Sequence, residues 1–531
     1  MQHPAEFAVT SPNTIDALRS TYRETISDLN ALAVGFREGR ANKGNTTRLQ
    51  WNLARCFSAA DAGADQSTLP PELRVLVVGC SMTQGFMNCG TTLPGKQCTI
   101  PCDSMAWYRV LERRLQRGLP GCRIKMFRTT SRGGRTVTTA QRYETRVRRS
   151  AAHIIITDLT VCDLRGVTSS LDENRVRAGW ETLIRRVLSE ERSPALVHIE
   201  SWAAFSPMGA CRTDKSAHRL HLPLADRYGI PVTSFMLGVC AHHPQAAPLR
   251  HWRGGCSGNA STCGGAFGAD GLNEEGFECE PHPGPHTHNV FALLLSELIL
   301  GEAKRMAISS LPVHGLGGGN TQTGAAIRTA RRGGQRLPLL QPVPLNLEAT
   351  PTVMPASIMT ELAGCHAHHG VNNALATLDF AEGSCGQPTQ NVGWRCYEDR
   401  PGKRGWITEV SLGEDYGPGG TLSFAVPMGS TKLTVAYLRS YDHRMGIAKM
   451  WLDEDKHAAI LLNGSWDSRT SQTDIRSERV QNLCKESCLA KRSLGKHRRG
   501  TAAQVKAPPL HKIHVQRVAG RKFKLLLLEV C

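Results

Sequence analysis

The chain has 531 residues, of which 40% are hydrophobic and 21% are charged. This composition excludes disordered and fibrous proteins. The length exceeds what one hydrophobic core usually serves, so we expect two domains. Lys and Arg exceed Asp and Glu by 18 charges. A basic surface of this kind admits polyanionic partners, namely sulfated or uronic polysaccharides, nucleic acid and anionic membranes.

Two of these partner classes are disfavoured by the sequence pattern. No apolar run is long enough to span a bilayer. The basic segment between Lys491 and Lys524 lacks an interleaved series of aromatic residues, which proteins that stack on nucleic-acid bases require. We therefore expect a soluble protein with no membrane span and no nucleic-acid partner.

Residues 14–39 carry apolar side chains at helical spacing, which predicts an amphipathic helix within an N-terminal extension, residues 1–70. From residue 71 onward, strand and helix patterns alternate. Strands are predicted at 75–78, 124–127, 153–156, 195–199 and 230–232, and helices at 107–115, 139–149, 172–188, 222–228 and 290–300. Such alternation predicts an α/β domain, residues 71–306, with a parallel sheet between two helical layers. Active sites on such sheets lie at the carboxyl ends of the strands.

The pattern changes after a linker predicted at residues 307–356, which is rich in Gly, Pro and Arg. Short alternating runs at 421–426, 432–438 and 522–526 are separated by turn residues. They predict an antiparallel β-sandwich, residues 357–531, as an accessory domain.

Aromatic residues in this second domain allow two interpretations. Exposed rings on a β-sandwich can stack on sugars, whereas buried rings belong to the core, which is the commoner case. The residues concerned are Trp394, Trp406, Tyr437, Tyr441, Trp451 and Trp466.

The 18 cysteines are many for a reduced cytosol and predict disulfides. Several stand close together: Cys89, Cys98 and Cys102; Cys256 and Cys263; Cys385 and Cys396; Cys484 and Cys488. This usage favours a secretory or extracellular location, although the first residues show no signal-peptide pattern. The spacings lack a zinc framework, and the run 365–369 (Cys-His-Ala-His-His) is interpreted as a solvated loop rather than a metal site. No metal or cofactor is expected.

Four motifs follow predicted strands in a fixed order. Gly79-Cys80-Ser81 ends the first strand, Ser-Arg-Gly-Gly-Arg-Thr (131–136) follows the second, Thr-Asp-Leu-Thr-Val-Cys-Asp (157–163) follows the third, and His-Pro-Gly-Pro (282–285) comes last. A serine at the rim of a parallel sheet and a distant histidine base form the minimal arrangement of a serine esterase. Over residues 73–305 this series resembles the SGNH or GDSL-type hydrolases, a superfamily of esterases and lipases.

The resemblance implies a three-layer, flavodoxin-like fold and assigns roles by position. Ser81 corresponds to the nucleophile, with its own amide as one oxyanion donor. Gly134 corresponds to the second backbone donor, and His282 to the general base. The family's third donor, an asparagine, is replaced by Cys162, whose thiol is a poor donor.

The last motif also departs from the family pattern. The family's aspartate three residues before the histidine is replaced by Cys279, between Glu278 and Glu280. Either glutamate, with Glu280 assigned to the site, or a backbone carbonyl can orient His282.

These roles predict a serine esterase that removes an acyl group, in our interpretation acetyl, from a carbohydrate or small ester through an acyl-enzyme. The expected partner is the ester substrate, with a polysaccharide as one candidate. Two alternatives stay open: an O-acyltransferase that uses the same site, and a carbohydrate-binding protein with impaired catalysis. The sequence leaves the oligomeric state open.

Overall fold

The structure is a computed structural model. It describes residues 44–57, 69–81, 83, 106–130, 135–165, 167, 170–201, 218–235, 285–310, 341–346, 349–355, 359, 376–380, 385–399, 404–409, 419–427, 432–440, 442, 444–465, 471–483 and 510–530. The predicted helix at 14–39 and the run 365–369 lie outside the described residues.

Five parallel strands form the first sheet, in the order β2-β1-β3-β4-β5. This is the flavodoxin-like order, which the resemblance implied. The strand positions predicted from the sequence are confirmed, with bounds that differ by a few residues. The strands are β1 Glu72–Gly79, β2 Arg123–Thr130, β3 Ile154–Asp158, β4 Ala195–Glu200 and β5 Val232–Ser234.

Helices accompany this sheet. They are α1 Thr47–Leu53, α2 Trp107–Gly118, α3 Thr136–Gln141, α4 Thr160–Arg165, α5 Ser170–Ser189, α6 His218–Tyr228 and α7 Pro285–Ser310. The helix predicted at 139–149 is not continuous: α3 is followed by a π-helical turn, Tyr143–Val147, and a 3-10 turn, Arg148–Ser150.

The sheet has an apolar core on each face because its central strands are buried on both sides, as parallel sheets require. Val75 and Val77 of β1 belong to one core, with α2 and α7, whereas Leu76 and Val78 belong to the other, with α5 and α6. Three layers follow from this alternation.

Helix α1 belongs to the first core although the sequence assigns it to the N-terminal extension. Leu49 and Leu53 are buried there. A disulfide joins Cys56, just after α1, to Cys122, just before β2. The folded unit thus includes residues ahead of 71.

The second unit consists of two antiparallel sheets, which confirms the predicted β-sandwich. One sheet has the order β13-β12-β15-β10-β7, and the other has the order β14-β11-β16-β9-β8, with β6 beside β16. The strands are β6 Ala376–Asp379, β7 Gln390–Asn391, β8 Trp394–Glu398, β9 Arg404–Glu409, β10 Thr421–Pro427, β11 Lys432–Arg439, β12 Ile447–Leu452, β13 Ile460–Asn463, β14 Gln472–Arg479, β15 Leu510–Ala519 and β16 Lys522–Val530. A short helix, α8 Val480–Leu483, follows β14.

The aromatic residues that the structure describes in this unit are buried. Trp394, Trp406, Tyr437 and Trp451 are at most 6% exposed, and the first three belong to the shared core of the two sheets. None of these four offers a ring face to solvent, so the core interpretation applies to them. Tyr441 and Trp466 lie outside the described residues.

Part of the predicted linker lies on the first unit. The carboxylate of Glu181, on α5, accepts hydrogen bonds from the amides of Val353 (2.6 Å) and Met354 (2.8 Å). The amide of Leu345 donates to the carbonyl of Leu188. These contacts place Leu345, Val353 and Met354 along α5.

Among the described residues, no helix is both long and apolar enough to cross a membrane.

A buried ion pair inside the sandwich generates the first testable prediction. The ammonium of Lys524, whose side chain is fully buried, contacts Asp399, and Lys522 Nζ lies 2.9 Å from the same carboxylate. Burial alone would raise the pKa of Asp399, but the two ammonium groups outweigh it and hold the pKa below its usual value.

We expect Asp399→Asn to lower the free energy of unfolding by about 3 kcal/mol, because a buried ammonium loses its counter-charge. The double variant Asp399→Asn/Lys524→Met should recover part of this loss. Urea unfolding of the three proteins measures both effects. A single variant within 0.5 kcal/mol of wild type would contradict the prediction.

Candidate active site

The turn after β1 is built around a glycine that no larger residue can replace. In the sheet register, Gly79 at the end of β1 is paired with Asp158 at the end of β3. A Cβ atom on Gly79 would lie 1.8 Å from Thr83 Oγ1, well inside van der Waals contact. The glycine thus allows the close approach of Thr83, and Ser81 lies in this turn, two residues after the end of β1 and hence at the carboxyl edge of the sheet.

Asp158 holds that turn through a hydrogen bond from Thr83. Its Oδ2 accepts hydrogen bonds from Thr83 Oγ1 (2.8 Å) and Trp107 Nε1 (3.0 Å), and its Oδ1 accepts one from Ser201 Oγ (2.6 Å). The side chain is 1% exposed, so burial raises its pKa, and the three hydrogen bonds offset only part of that increase. Three segments that are distant in sequence therefore meet at one carboxylate, and one of them is the turn that carries Ser81.

Cys162 does not carry the thiol that the sequence analysis expected. Its sulfur is bonded to that of Cys80, the residue before Ser81. A disulfide sulfur has no hydrogen, so Cys162 cannot donate to an oxyanion. It joins the turn after β1 covalently to α4 instead.

The start of α7 reaches the same edge of the sheet. His288 Nδ1 accepts a hydrogen bond from the amide of Trp107 (3.1 Å), the residue whose indole contacts Asp158. His288 is fully buried and follows His282 by six residues. His282 itself, together with Gly134 and Glu280, lies outside the described residues, so their roles remain predictions.

A second buried carboxylate, Asp163, holds the start of α3. Its Oδ1 accepts a hydrogen bond from the amide of Thr136 (2.9 Å), and the hydroxyl of Thr136 donates to its Oδ2. The chain enters α3 directly from Gly134 through Arg135. The guanidinium of Arg135 interacts electrostatically with Asp163 and with Asp474 of β14, and α3 lies against β14.

His221 joins Asp163 to a third buried carboxylate. Its Nε2 lies 3.1 Å from Asp163 Oδ2, and its Nδ1 lies 3.0 Å from Glu200 Oε1. Both carboxylates are acceptors, so both ring nitrogens must carry a proton. Burial alone would lower the pKa of His221, but the two carboxylates outweigh it and raise the pKa to about 9.

Glu200 completes the cluster with a second histidine. His198 Nε2 lies 3.0 Å from Glu200 Oε1, and His198 Nδ1 lies 2.8 Å from Thr157 Oγ1. A neutral ring that donates from Nε2 and accepts at Nδ1 satisfies both contacts. Burial raises the pKa of Glu200, but its bonds to His221 and His198 outweigh that effect and hold the pKa well below its usual value.

Three of these residues form a group, within the described part of the chain, whose residue types and spacing are compatible with metal binding. Donor atoms of His198, Glu200 and His221 all lie within 4.8 Å of one another. The hydrogen bonds given above satisfy the ring nitrogens of both histidines without an ion.

Sequence reasoning missed the cluster because its members belong to no local motif. His198 and Glu200 lie at the end of β4, and His221 lies in the first turn of α6. The available signal was the type of residue. Two ionisable residues, His198 and Glu200, interrupt an otherwise apolar strand at the end where active sites occur, and a third, His221, stands in the helix that follows. Asp158 and Asp163 stand inside the third motif but were given no role.

Comparison with known proteins gives structural similarity alone. No family model and no curated protein matches the chain. A two-domain esterase active on acetylated mannans is 13% identical, with a TM-score of 0.48 and coverage of 93% of this chain and 98% of its own. A GDSL-like lipase from Parabacteroides merdae is 13% identical, with a TM-score of 0.31, and covers 45% of this chain and 100% of its own.

An acetylxylan esterase from Geobacillus stearothermophilus is 12% identical, with a TM-score of 0.29 and coverage of 44% of this chain and 96% of its own. At such identities, and with TM-scores below 0.5, activity and substrate have to be argued from the residues themselves.

The disulfide beside Ser81 generates the second prediction. Replacing Cys80 and Cys162 together by serine should lower the free energy of unfolding by about 2–4 kcal/mol, because the bridge closes a long loop. It should also lower esterase turnover, because the turn that carries Ser81 loses its covalent link to α4. Thermal unfolding and steady-state kinetics on an aryl acetate measure the two effects.

The matched control is the serine pair at Cys385 and Cys396, which form a disulfide in the described part of the second unit. It should cost stability and leave turnover unchanged. Equal loss of turnover in both variants would show that the link beside Ser81 has no local effect.

The third prediction concerns how the free energy of unfolding depends on pH through His221. The pKa of His221 is about 9 in the fold and about 6.5 in an unfolded chain. The raised pKa stabilises the fold fully below pH 6.5, and this contribution is lost as the pH rises through 9. The expected size is on the order of 3 kcal/mol.

Urea unfolding between pH 6 and pH 10 measures this loss. Other groups also titrate in this interval, so the relevant quantity is the difference between wild type and His221→Gln, which removes only the histidine. Parallel pH profiles for the two proteins would contradict the assignment.

Proposed function

We propose that the protein is a serine esterase that removes an acyl group, acetyl in the simplest case, from a carbohydrate ester. The observation that carries the proposal is the arrangement beneath Ser81. The serine stands in a glycine-dependent turn at the carboxyl edge of a parallel sheet, and a buried Asp158 holds that turn through Thr83. Such a turn exposes a serine hydroxyl to a substrate.

The reaction proceeds in two steps. Ser81 Oγ attacks the acyl carbonyl while His282 accepts its proton, and His282 then returns a proton to the leaving sugar oxygen. Water repeats the sequence on the acyl-enzyme. The entry of α7 beside Trp107 supports His282 as the base, since it brings the chain that follows His282 to the edge where Ser81 lies.

The amides of Ser81 and Gly134 are the proposed oxyanion donors. The position of the side-chain donor in the resembling family is taken by Cys162, which is disulfide-bonded and cannot donate. Loss of one such donor typically costs about 10²–10³ in turnover, so we expect a slow enzyme.

The substrate class follows from charge. Net charge +18 raises the local concentration of anionic polymers, so an acetylated uronic or sulfated polysaccharide is the proposed substrate. Passing the acyl group to a sugar hydroxyl instead of water requires no change of site. Assays that include an acceptor sugar separate transfer from hydrolysis.

One observation favours a second function, carbohydrate binding without turnover. The covalent bond between Cys80 and Cys162 leaves no donor hydrogen on the sulfur at the position of the family's third oxyanion donor. A protein that retains the fold for binding alone tolerates this change more readily than an efficient enzyme.

The fourth prediction separates the two functions. Ser81→Ala should abolish hydrolysis of an aryl acetate and labelling by a fluorophosphonate, and it should change the melting temperature little, because the hydroxyl serves chemistry rather than packing. Peptide mapping should find the wild-type label on Ser81.

The control is Ser189→Ala, at the end of α5 and before β4, hence at the opposite edge of the sheet. It should retain wild-type turnover and labelling. Undiminished hydrolysis by Ser81→Ala would exclude Ser81 as the nucleophile. Absence of both hydrolysis and labelling in the wild type would favour the binding function.

A further inference from the structure

His221 is buried, doubly hydrogen-bonded and outside the set of residues that the proposed reaction uses. Its side chain is 0% exposed, as is that of Asp163, and Glu200 is 2% exposed. Burying an ionised side chain destabilises a fold unless opposite charges compensate it, so such groups are retained in a core where they neutralise one another. The question is what their arrangement holds in place.

A chain of hydrogen bonds connects the sheet to the start of α3. His221 on α6 donates to Glu200, which ends β4, and to Asp163 on α4. Asp163 in turn accepts hydrogen bonds from the amide and the hydroxyl of Thr136. Thr136 is the first residue of α3 and the second residue after Gly134. The start of α3 is therefore held by bonds that link it to α4, α6 and β4.

Only the protonated ring can make both contacts. A neutral imidazole carries one N–H, so it would leave either Asp163 or Glu200 facing a ring lone pair in a site without water access. The described side chains that face His221 come from several elements. Asp163 belongs to α4, Glu200 and His198 to β4, and Trp180 to α5. Arg135, ahead of α3, lies on the other side of Asp163 and interacts with it.

We propose that His221, as an imidazolium between Asp163 and Glu200, is a positioning residue for ester hydrolysis: it holds Thr136 and the start of α3, the helix that follows the proposed oxyanion donor Gly134 in the sequence. This inference rests on the proposed function. Small displacements of an oxyanion donor reduce the rate of the chemical step more than they weaken substrate binding.

The experiment compares full-length wild type with His221→Gln, which cannot donate in two opposite directions. We expect kcat on an aryl acetate to fall roughly tenfold to a hundredfold, with KM changed less than twofold. The wild-type kcat should decline as the pH rises through 9, and His221→Gln should lack that decline. His153→Gln, at the opposite end of β3, is the matched control and should keep both the wild-type kcat and the decline.

A second pair of variants keeps the test decisive should His221→Gln fail to fold. Thr136→Val removes the hydroxyl bonded to Asp163, and Thr136→Ser retains it. Thr136→Val should lose kcat with KM retained, and Thr136→Ser should restore it. Equal kcat for the two would overturn the proposal.

Two further outcomes would also overturn it. One is an NMR spectrum of histidine-labelled wild type in which the His221 resonance, identified by its loss in His221→Gln, reports a neutral ring at pH 8. The other is stabilisation by added zinc of chelator-treated wild type, but not of His221→Gln, which would make the cluster a metal site.

The labelling of Ser81 separates this inference from the proposed function. A wild type that neither hydrolyses esters nor reacts with the fluorophosphonate refutes the proposed function. A wild type that reacts while His221→Gln reacts at the same rate refutes the positioning role alone.

Discussion

Three buried carboxylates at the carboxyl edge of the parallel sheet determine the arrangement of the site. Asp158, Asp163 and Glu200 are each at most 2% exposed. A buried charge without donors destabilises a fold by several kcal/mol, so each carboxylate recruits donors from distant segments. Asp158 binds the turn that carries Ser81, and Asp163 binds the start of α3. The described part of the turn after β1 and the start of α3 are therefore both held by buried carboxylates.

Asp163 and Glu200 have cationic partners within the fold. Two carboxylates, Asp163 and Glu200, face one imidazolium at His221 and one guanidinium at Arg135. Arg135 also interacts with Asp474 of the second unit. The β-sandwich thus contributes to the electrostatic environment of the proposed catalytic edge, beyond any role in recruiting substrate.

The sequence allowed most of the α/β unit to be predicted, because apolar runs such as 75–78 and amphipathic stretches such as 172–188 carry local periodicity. The strand order followed from the resemblance. What could not be predicted depends on contacts between distant residues. No pattern in the chain pairs Cys80 with Cys162, and none indicates that α1 enters the first core. The roles of Ser81 and His282 remain inferences from motif order.

The connectivity of two disulfides has a consequence for how the chain reaches its native state. The bridges Cys56–Cys122 and Cys80–Cys162 interleave along the sequence. In an unfolded chain, loop-closure entropy favours pairing between sequence neighbours, such as Cys80 with Cys89 or Cys102 with Cys122, which is not the native connectivity. Only the assembled parallel sheet brings the correct sulfurs together. Oxidation must therefore follow, rather than guide, formation of the first sheet, and early oxidation would trap the chain in misbridged forms that need thiol exchange for release.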